Sequence, residues 1–401
     1  MSQRQIGGLD FAQTNAALTP WQDIAAPISG DEYQQRIEQA RRLMRTHNTD
    51  ALFVTAGTSL RYFSGVPWGA TERLVGMLLT ARGDPILVCP AFELGSLQHA
   101  LKIPAELRLW EEQENPQTLV ADAMRERGAG SVALDPAASH AIAERLRGVL
   151  GGTPVTDASA IIDGCRMCKS SAELALMSQA TAMTLQVHRW AAGLIREGVS
   201  SVALTRFIDG AHRALGADGG STFCIVQFGQ ATAYPHGIPG EQHLAANELV
   251  LIDTGCSVQG YQSDITRCYI FGQPSAEQER IWRLEQAAQR AAFEAVRPGV
   301  LCEAVDAAAR AVVERAGLGP DYQLPGIPHR TGHGCGLSIH ETPYLVRGDR
   351  TPLQPGMCCS DEPMIVLPDR FGVRLEDHFH VTEYGAAWFT EPSPAIDQPF
   401  A

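Results

Sequence analysis

Five side chains in the second half of the chain, four carboxylates and one imidazole, constrain the fold most strongly. They are Asp253, Asp264, His333, Glu362 and Glu376. Each lies in a setting typical of an ordered strand or turn. Burying a carboxylate alone is costly, so a fold that brings these residues together must pair them or bind cations. Oxygen-rich ligands with a single histidine suit hard or borderline divalent cations, and Mn²⁺ is the natural first candidate.

Length and composition indicate an ordinary globular chain with two domains. The 401 residues are 45% hydrophobic and 19% charged, and the net charge is −13, which argues against nucleic acid as the main partner. No apolar run approaches the roughly 20 residues of a membrane span, so no membrane association is expected. The N-terminus shows no export signal and the ten cysteines show no paired spacing, which favours free thiols and a cytoplasmic location.

The first part of the chain alternates strand and helix patterns, which predicts an α/β domain over residues 1–162. Residues 1 to about 30 are polar and punctuated by Pro and Gly, so we expect an extended arm there. A helix is predicted from Gly30. The run RYFSG, residues 61–65, is predicted as a turn. Two apolar runs on either side of Gly83-Asp84 predict a hairpin.

A second domain is predicted over residues 163–401. Ser170 and Glu173 form a capping box that opens a long helix toward Ile195. Further helices are predicted at 201–215, 276–296 and 301–316, and strands at 222–228, 249–253 and 264–271. The chain as a whole is therefore predicted to be α/β, or α+β, in class.

The local context of each carboxylate or imidazole leaves alternatives open. Asp253 closes the run ELVLID, and Asp264 follows eleven positions later, so two strands joined by a loop would bring both aspartates to one point. The alternative is that one aspartate caps a turn while the other pairs with Arg267. His333 is flanked by glycines that would let the backbone pass close to a ligand or metal, although a lone histidine is more often a core residue.

Other residues with metal-binding chemistry are weaker candidates. Cys165 and Cys168 form a C-x-x-C pair, but no second pair exists, which favours structural thiols over a zinc or redox site. His378 and His380 alternate with Glu376 along one strand and would share its face. They are either extra ligands or packed residues.

Taken together, these stretches resemble the creatinase/methionine-aminopeptidase group of pita-bread enzymes, and within it the Xaa-Pro dipeptidases (prolidases) and aminopeptidases P. The resemblance covers nearly the whole chain after about residue 30. The matching stretches are YPHG around His236, LIDTG around Asp253, SDITR around Asp264, TGHGCGLSIHE around His333, SDEP around Glu362 and VRLED around Glu376. The resemblance implies an N-terminal creatinase-like domain, a C-terminal pita-bread catalytic domain and, commonly, a homodimer.

The same resemblance implies roles for individual residues. The five residues named first would bind two divalent metal ions, with Mn²⁺ favoured and Zn²⁺ or Co²⁺ as alternatives, and Asp264 and Glu376 would bridge both ions. A hydroxide shared by the ions would attack an Xaa-Pro bond, with Glu362 as ligand and general base. His236 would contact the tetrahedral intermediate, and His340 would contact the substrate near the scissile bond.

Arg374 lies two residues before Glu376, so both would point to one face of a strand. It would orient a ligand carboxylate, form an ordinary ion pair, or do both. Met364 and Val366 stand where this family usually has a glycine and a tyrosine, which bears on the substrate more than on the metal chemistry.

We therefore expect the substrate to be an Xaa-Pro dipeptide or a short proline-containing peptide, with a dipeptidase favoured over an aminopeptidase P. A small-molecule hydrolase or lyase of the same fold is a second possibility, and a metal-free binding module is a third. Small-molecule enzymes and binding modules of this fold usually lack some of the metal-binding residues. All five are present here, which favours the peptidase.

Overall fold

Two compact units make up the chain, which we describe over residues 6–401 from a computed structural model. One compact unit is Ile28–Arg166, called here the N-terminal unit. Residues 6–27 and 167–401 form the other, called the C-terminal unit. The division falls after residue 166, at the end of a helix, whereas the sequence analysis placed it after residue 162.

The first 30 or so residues were predicted to be an extended arm of the N-terminal domain, and the structure differs in both respects. Its residues 6–27 belong to the C-terminal unit and contain a short helix, α1 (Phe11–Ala16). Asp10 caps this helix, because its side chain accepts hydrogen bonds from two backbone N–H groups of the first turn. The backbone N–H of Leu9 donates to the carbonyl of Gly193 at 2.8 Å, and this local pairing gives no signal in hydrophobic periodicity. Residues 1–5 of the predicted arm lie outside the described residues.

The N-terminal unit is an α/β sandwich built on one six-stranded sheet. Its helices are α2 (Gly30–Thr46), α3 (Thr58–Ser64), α4 (Leu94–Ala100), α5 (Pro116–Glu126), α6 (His140–Leu150) and α7 (Ser159–Arg166). Its strands are β1 (Ala51–Thr55), β2 (Gly76–Thr80), β3 (Ile86–Pro90), β4 (Glu106–Trp110), β5 (Val132–Leu134) and β6 (Val155–Asp157). The strand order is β4-β3-β2-β1-β5-β6. Strand β2 pairs antiparallel with both β1 and β3, and the other pairs are parallel.

Two local predictions in this unit have different outcomes. The hairpin is confirmed, because β2 and β3 pair across the turn that contains Gly83, whose φ of 80° suits glycine. The turn predicted at RYFSG is wrong, because residues 61–64 are the last turn of α3. Gly65 ends that helix in the left-handed conformation, so the glycine that suggested a turn marks the C-terminus of a helix.

The C-terminal unit combines long helices with three groups of strands. Its helices are α8 (Ser171–Gly193), α9 (Ser201–Leu215), α10 (Ala276–Ala295) and α11 (Cys302–Arg315). Its strands are β7 (Ser221–Phe228), β8 (Glu248–Val258), β9 (Tyr261–Gln262), β10 (Ile265–Phe271), β11 (Gly332–Gly334), β12 (Glu341–Leu345), β13 (Cys358–Asp361), β14 (Met364–Leu367), β15 (Phe371–Arg374), β16 (Asp377–Val381) and β17 (Ala386–Trp388). The capping box of Ser170 and Glu173 is formed as predicted. The mixed α/β class is therefore confirmed.

The sheets place the ends of distant strands side by side. One sheet has the order β10-β8-β7, and a second has the order β12-β11-β13-β16-β17. Thr266 in β10 pairs with Glu376, which lies between β15 and β16, and the N–H of Glu376 donates to the carbonyl of Thr266 at 3.1 Å. This bridge joins the two sheets. Helices α10 and α11 contribute to the hydrophobic core of the unit.

Candidate active site

All eight residues that the sequence analysis placed in a site line one cavity of about 240 Å³ in the C-terminal unit. They are His236, Asp253, Asp264, His333, His340, Glu362, Arg374 and Glu376. The cavity is also lined by apolar side chains, among them Phe223 and Ile225 of β7. The structure thus brings together every residue named, while the role of each remains a prediction.

The two aspartates converge because strand β8 passes very close to the segment before β10. A Cβ on Gly255 would lie 1.8 Å from the carbonyl oxygen of Ser263, so only glycine permits this approach. Asp253 faces the cavity from β8, and Asp264 directly precedes β10. Arg267 does not pair with either aspartate, as one alternative supposed. Its ion pair is with Asp377 at 2.7 Å.

His333 is held by its neighbours so that one ring nitrogen faces the cavity. Its Nδ1 lies 3.1 Å from the carbonyl oxygen of Gly334, which favours a proton on Nδ1 and a free lone pair on Nε2. Nε2 lies 3.1 Å from Glu362 Oε1. Ser360 Oγ donates to the same Oε1 at 3.1 Å.

The glycines beside His333 lie against the backbone of neighbouring segments. A Cβ on Gly332 would lie 2.1 Å from the carbonyl oxygen of Ser360, and one on Gly334 would lie 2.5 Å from that of Thr342. Neighbouring backbone therefore excludes larger residues at both positions, and the close approach to a metal or ligand stays a prediction.

Arg374 forms a buried ion pair and also positions its neighbours. Its Nη2 lies 2.5 Å from Asp253 Oδ2, and its Nε donates to Thr266 Oγ1 at 3.0 Å. The same Thr266 hydroxyl donates to Glu376 Oε2 at 2.9 Å. Arg374 is therefore an ion-pair partner of Asp253, and its role in orienting a ligand carboxylate stays a prediction. Met364 fills space beside it, with Sδ 3.8 Å from Arg374 Nη1.

Three carboxylate oxygens in the cavity have no hydrogen-bond partner among the described residues. They are Asp253 Oδ1, Asp264 Oδ1 and Glu376 Oε1, and all three residues are buried. Burial, and next the charge of Glu376, raises the pKa of Asp264 well above its usual range. Burial, and next the charge of Glu362, does the same for the pKa of Glu376. Unpaired carboxylates with one imidazole are the donor set that suits divalent cations, so these residues fit a metal centre.

Two sets of ligand atoms are close enough to share an ion. Asp264, Glu376 and His378 form one set, and His333, Glu362 and Glu376 form the other, with the atoms of each set within 4.8 Å of one another. Glu376 is common to both sets. His378 was left undecided by the sequence analysis and lies here in the first set.

His236 and His340 lie at the open side of the cavity. Both are exposed residues that nevertheless line it. The rings of His340 and His333 meet edge to face with centroids 4.3 Å apart. Burial, and next the neighbouring His333, lowers the pKa of His340 to about 4, so its ring is neutral near pH 7.

A second cavity of about 420 Å³ adjoins the first and contains two residues that the sequence analysis missed, His329 and Arg330. The cavities share four residues: His236, His340, Glu362 and Arg374. The Arg330 guanidinium lies 4.6 Å over the ring of Tyr344 and has no acidic ion-pair partner within residues 6–401. The only sequence signal was position, because both residues sit in the HRTGHG stretch.

This arrangement defines the class of the protein as a metal-dependent hydrolase with a carboxylate-rich centre. The description "Metallopeptidase family M24" matches residues 175–383, and "Creatinase/Prolidase N-terminal domain" matches residues 36–168. The chain belongs to metallopeptidase family M24. The predicted resemblance, the creatinase-like N-terminal domain and the pita-bread catalytic domain are thereby confirmed, and the chain is a metallopeptidase.

Relatives and solved structures agree with this assignment. The chain is 31% identical to the Xaa-Pro dipeptidase of Lactobacillus helveticus over 88% of this chain and 96% of that protein. Dipeptidase PepE from Mycobacterium ulcerans superposes with a TM-score of 0.83 at 34% identity, covering 91% of this chain and 97% of that one. The prolidase from Pyrococcus horikoshii gives 0.79 at 25% identity, covering 89% and 98%. Within residues 6–401, no helix is long and apolar enough to cross a membrane.

Proposed function

We propose that the protein is an Xaa-Pro dipeptidase that uses two divalent metal ions. The observation that carries this proposal is the convergence of five metal-capable residues on one cavity, where three carboxylate oxygens have no hydrogen-bond partner within residues 6–401. Relatives named as a dipeptidase, an Xaa-Pro dipeptidase and a prolidase support the substrate class. The proposed ligands are Asp253, Asp264, His333, Glu362 and Glu376.

One residue is common to both sets of ligand atoms, which supports a site for two ions. Glu376 belongs to both sets, which supports it as one bridging ligand, and Asp264 is proposed as the second by family resemblance. When bound, two such ions would supply an activated water and polarise the scissile carbonyl. Mn²⁺ is favoured, because the donors are mostly oxygen, and Zn²⁺ and Co²⁺ are alternatives.

Glu362 is the proposed general base that takes a proton from the attacking water and returns one to the leaving nitrogen. Its side chain is 14% exposed, against 7% for Asp264 and 9% for Asp253. It also lines both cavities. It is therefore the carboxylate that a substrate in the larger cavity would meet. His236 and His340, which also line both cavities, would hydrogen-bond to the substrate on either side of the reacting carbonyl.

Arg330 supports a dipeptidase over an aminopeptidase P. The C-terminal carboxylate of an Xaa-Pro dipeptide lies directly beside the scissile bond, whereas in a longer peptide an amide takes its place. A guanidinium in the adjoining cavity, with no acidic partner in the described part of the chain, suits a carboxylate through charge-assisted hydrogen bonds. We propose Arg330 as the residue that binds this carboxylate.

The test is release of the free N-terminal residue Xaa from Xaa-Pro dipeptides, Xaa-Pro-Yaa tripeptides and C-terminally amidated Xaa-Pro, each with and without added Mn²⁺. We expect metal-dependent cleavage of the free dipeptides and a much higher KM for the amides. Arg330→Gln should remove that difference between free and amidated substrates. Arg350→Gln, at a site where the side chain is 80% exposed, is the matched control and should preserve it.

Other outcomes separate the alternatives. Efficient cleavage of tripeptides would make the protein an aminopeptidase P. Cleavage of neither peptide by metal-loaded protein would support a small-molecule hydrolase or lyase, with Met364 and Val366 marking the altered substrate site. Residual discrimination against amides in Arg330→Gln would refute the carboxylate role of Arg330.

Two further attributes of the proposal are a homodimer, which the family resemblance implies, and a cytoplasmic location. The cytoplasmic location is supported by the ten cysteines, all of which are free thiols. Light scattering on the purified protein tests the dimer, because the mass of one chain is 43.3 kDa.

A further inference from the structure

His378 occupies a position beside the proposed metal centre that the five-residue ligand set does not explain. It lies on β16, two residues after Glu376, and pairs with Ser360 of β13. Its side chain is fully buried. A buried imidazole nitrogen without a partner is costly, so a ligand bound to this ring would offset that cost.

The surroundings of the ring leave one nitrogen free. Nδ1 of His378 lies 3.6 Å from Cys335 Sγ. Nε2 has no hydrogen-bond partner among the described residues. A proton on Nδ1, directed at the sulfur, would fix the tautomer and leave the Nε2 lone pair available.

Two other residues, each with an unpaired carboxylate oxygen among the described residues, have a ligand atom close to this ring. One ligand atom from each of Asp264, Glu376 and His378 lies within 4.8 Å of the other two. Asp264 Oδ1 and Glu376 Oε1 also lack partners. Atoms bound to one cation at about 2.1 Å can be at most about 4.2 Å apart, so shifts of well under 1 Å would bring all three onto one ion. A cation satisfies all three atoms together, which a proton shared between two of them does not.

We propose that His378 is an additional protein ligand, through Nε2, of the ion bound by Asp264 and Glu376. The centre then contains two imidazoles, one from His333 and one from His378. This inference rests on the proposed metal centre and adds a ligand to it. A second imidazole also shifts the preference of the site toward Zn²⁺ and Co²⁺, because nitrogen donors suit these ions better than Mn²⁺.

The test counts the imidazoles bound to metal in the full-length protein loaded with Co²⁺. Each histidine bound to Co²⁺ that keeps a ring N–H gives a strongly shifted, exchangeable proton resonance. We expect two such resonances in the wild type and one in His378→Gln. Competition with a chelator should show binding of one of the two ions weakened at least tenfold in His378→Gln, since even indirect partners of a ligand contribute 10- to 100-fold.

His380→Gln is the matched control. His380 lies on the same strand and is half-buried, but it is outside both sets of ligand atoms. This variant should keep both resonances and bind both ions within about twofold of the wild type. Equal weakening in the two variants would point to a general effect on the strand and overturn the proposal.

The outcomes distinguish this inference from the proposed function. A wild type that binds Co²⁺ and Mn²⁺ at neither site would refute the metal centre itself. A wild type that binds two ions but gives a single imidazole resonance would refute the role of His378 alone. That count needs no variant, so it decides the question even if His378→Gln fails to fold.

Discussion

The buried ion pair between Arg267 and Asp377 joins the two sheets that carry the site, so its removal should be costly. Both side chains are fully buried, and the pair is 2.7 Å apart. Arg267 also donates to the carbonyl oxygens of Glu376 at 3.0 Å and Glu391 at 3.2 Å. Arg267→Met keeps much of the side-chain volume but removes the charge and every one of these donors.

The expected cost follows from what the substitution leaves behind. Removing one partner of a buried ion pair leaves the other charge buried and unpaired, which lowers the free energy of unfolding by about 3–5 kcal/mol. An exposed helical pair is worth only about 0.3–0.5 kcal/mol, so Arg283→Met on α10, whose partner is Glu279, is the matched control. The double variant Arg267→Met/Asp377→Asn should recover part of the loss, because it removes the stranded charge.

Hydrogen exchange in β10 and β16, followed by mass spectrometry, measures the local free energy of opening. This readout is suitable because two compact units need not unfold together. Metal-free protein is used, since bound ions would add their own stabilisation. A loss below about 1 kcal/mol, or one equal to that of Arg283→Met, would refute the reasoning.

Three further predictions follow from other buried charges. Burial lowers the pKa of His212 to about 4, so the unfolded state binds a proton at this residue more strongly and the free energy of unfolding falls as pH drops below about 6.5. Between pH 7 and pH 5, measured by urea unfolding, the free energy of unfolding of His212→Gln should fall by about 2 kcal/mol less than that of the wild type. Arg374→Met, which removes the orienting partner of Asp253, should weaken metal binding 10- to 100-fold by chelator competition. Lys169→Met should lower the free energy of unfolding by about 3–5 kcal/mol in urea, because it breaks the buried ion pair in which Lys169 Nζ lies 2.7 Å from Glu341 Oε1. The double variant Lys169→Met/Glu341→Gln should recover part of that loss.

Local signals in the sequence predicted the parts of the fold that depend on short segments. The capping box at Ser170 and Glu173 is a local hydrogen-bond pattern, and it marked the start of α8 correctly. The hairpin between β2 and β3 was likewise visible from its turn. The convergence of the metal-capable residues was predicted from local contexts together with family resemblance, and the structure brings those residues to one cavity.

Contacts between residues far apart in the chain determine the features of the site that could not be predicted from the sequence. The bridge between Thr266 and Glu376 spans 110 positions, and no periodicity indicates which strand ends will meet. Likewise, only the structure shows that Arg330 has no acidic partner among the residues it describes. His378 and His380 are equivalent in the strand pattern, and only the structure shows that the first is fully buried while the second is not.

The central claim is tested most directly by proline release from an Xaa-Pro dipeptide as metal-stripped protein is titrated with Mn²⁺, in the wild type and in Glu362→Gln. The account predicts no activity without metal and full activity in the wild type at two equivalents. It predicts that Glu362→Gln stays inactive even at Mn²⁺ concentrations that load both of its sites, because the proton acceptor is lost. Proline release by the stripped wild type, or near wild-type turnover by metal-loaded Glu362→Gln, would contradict it.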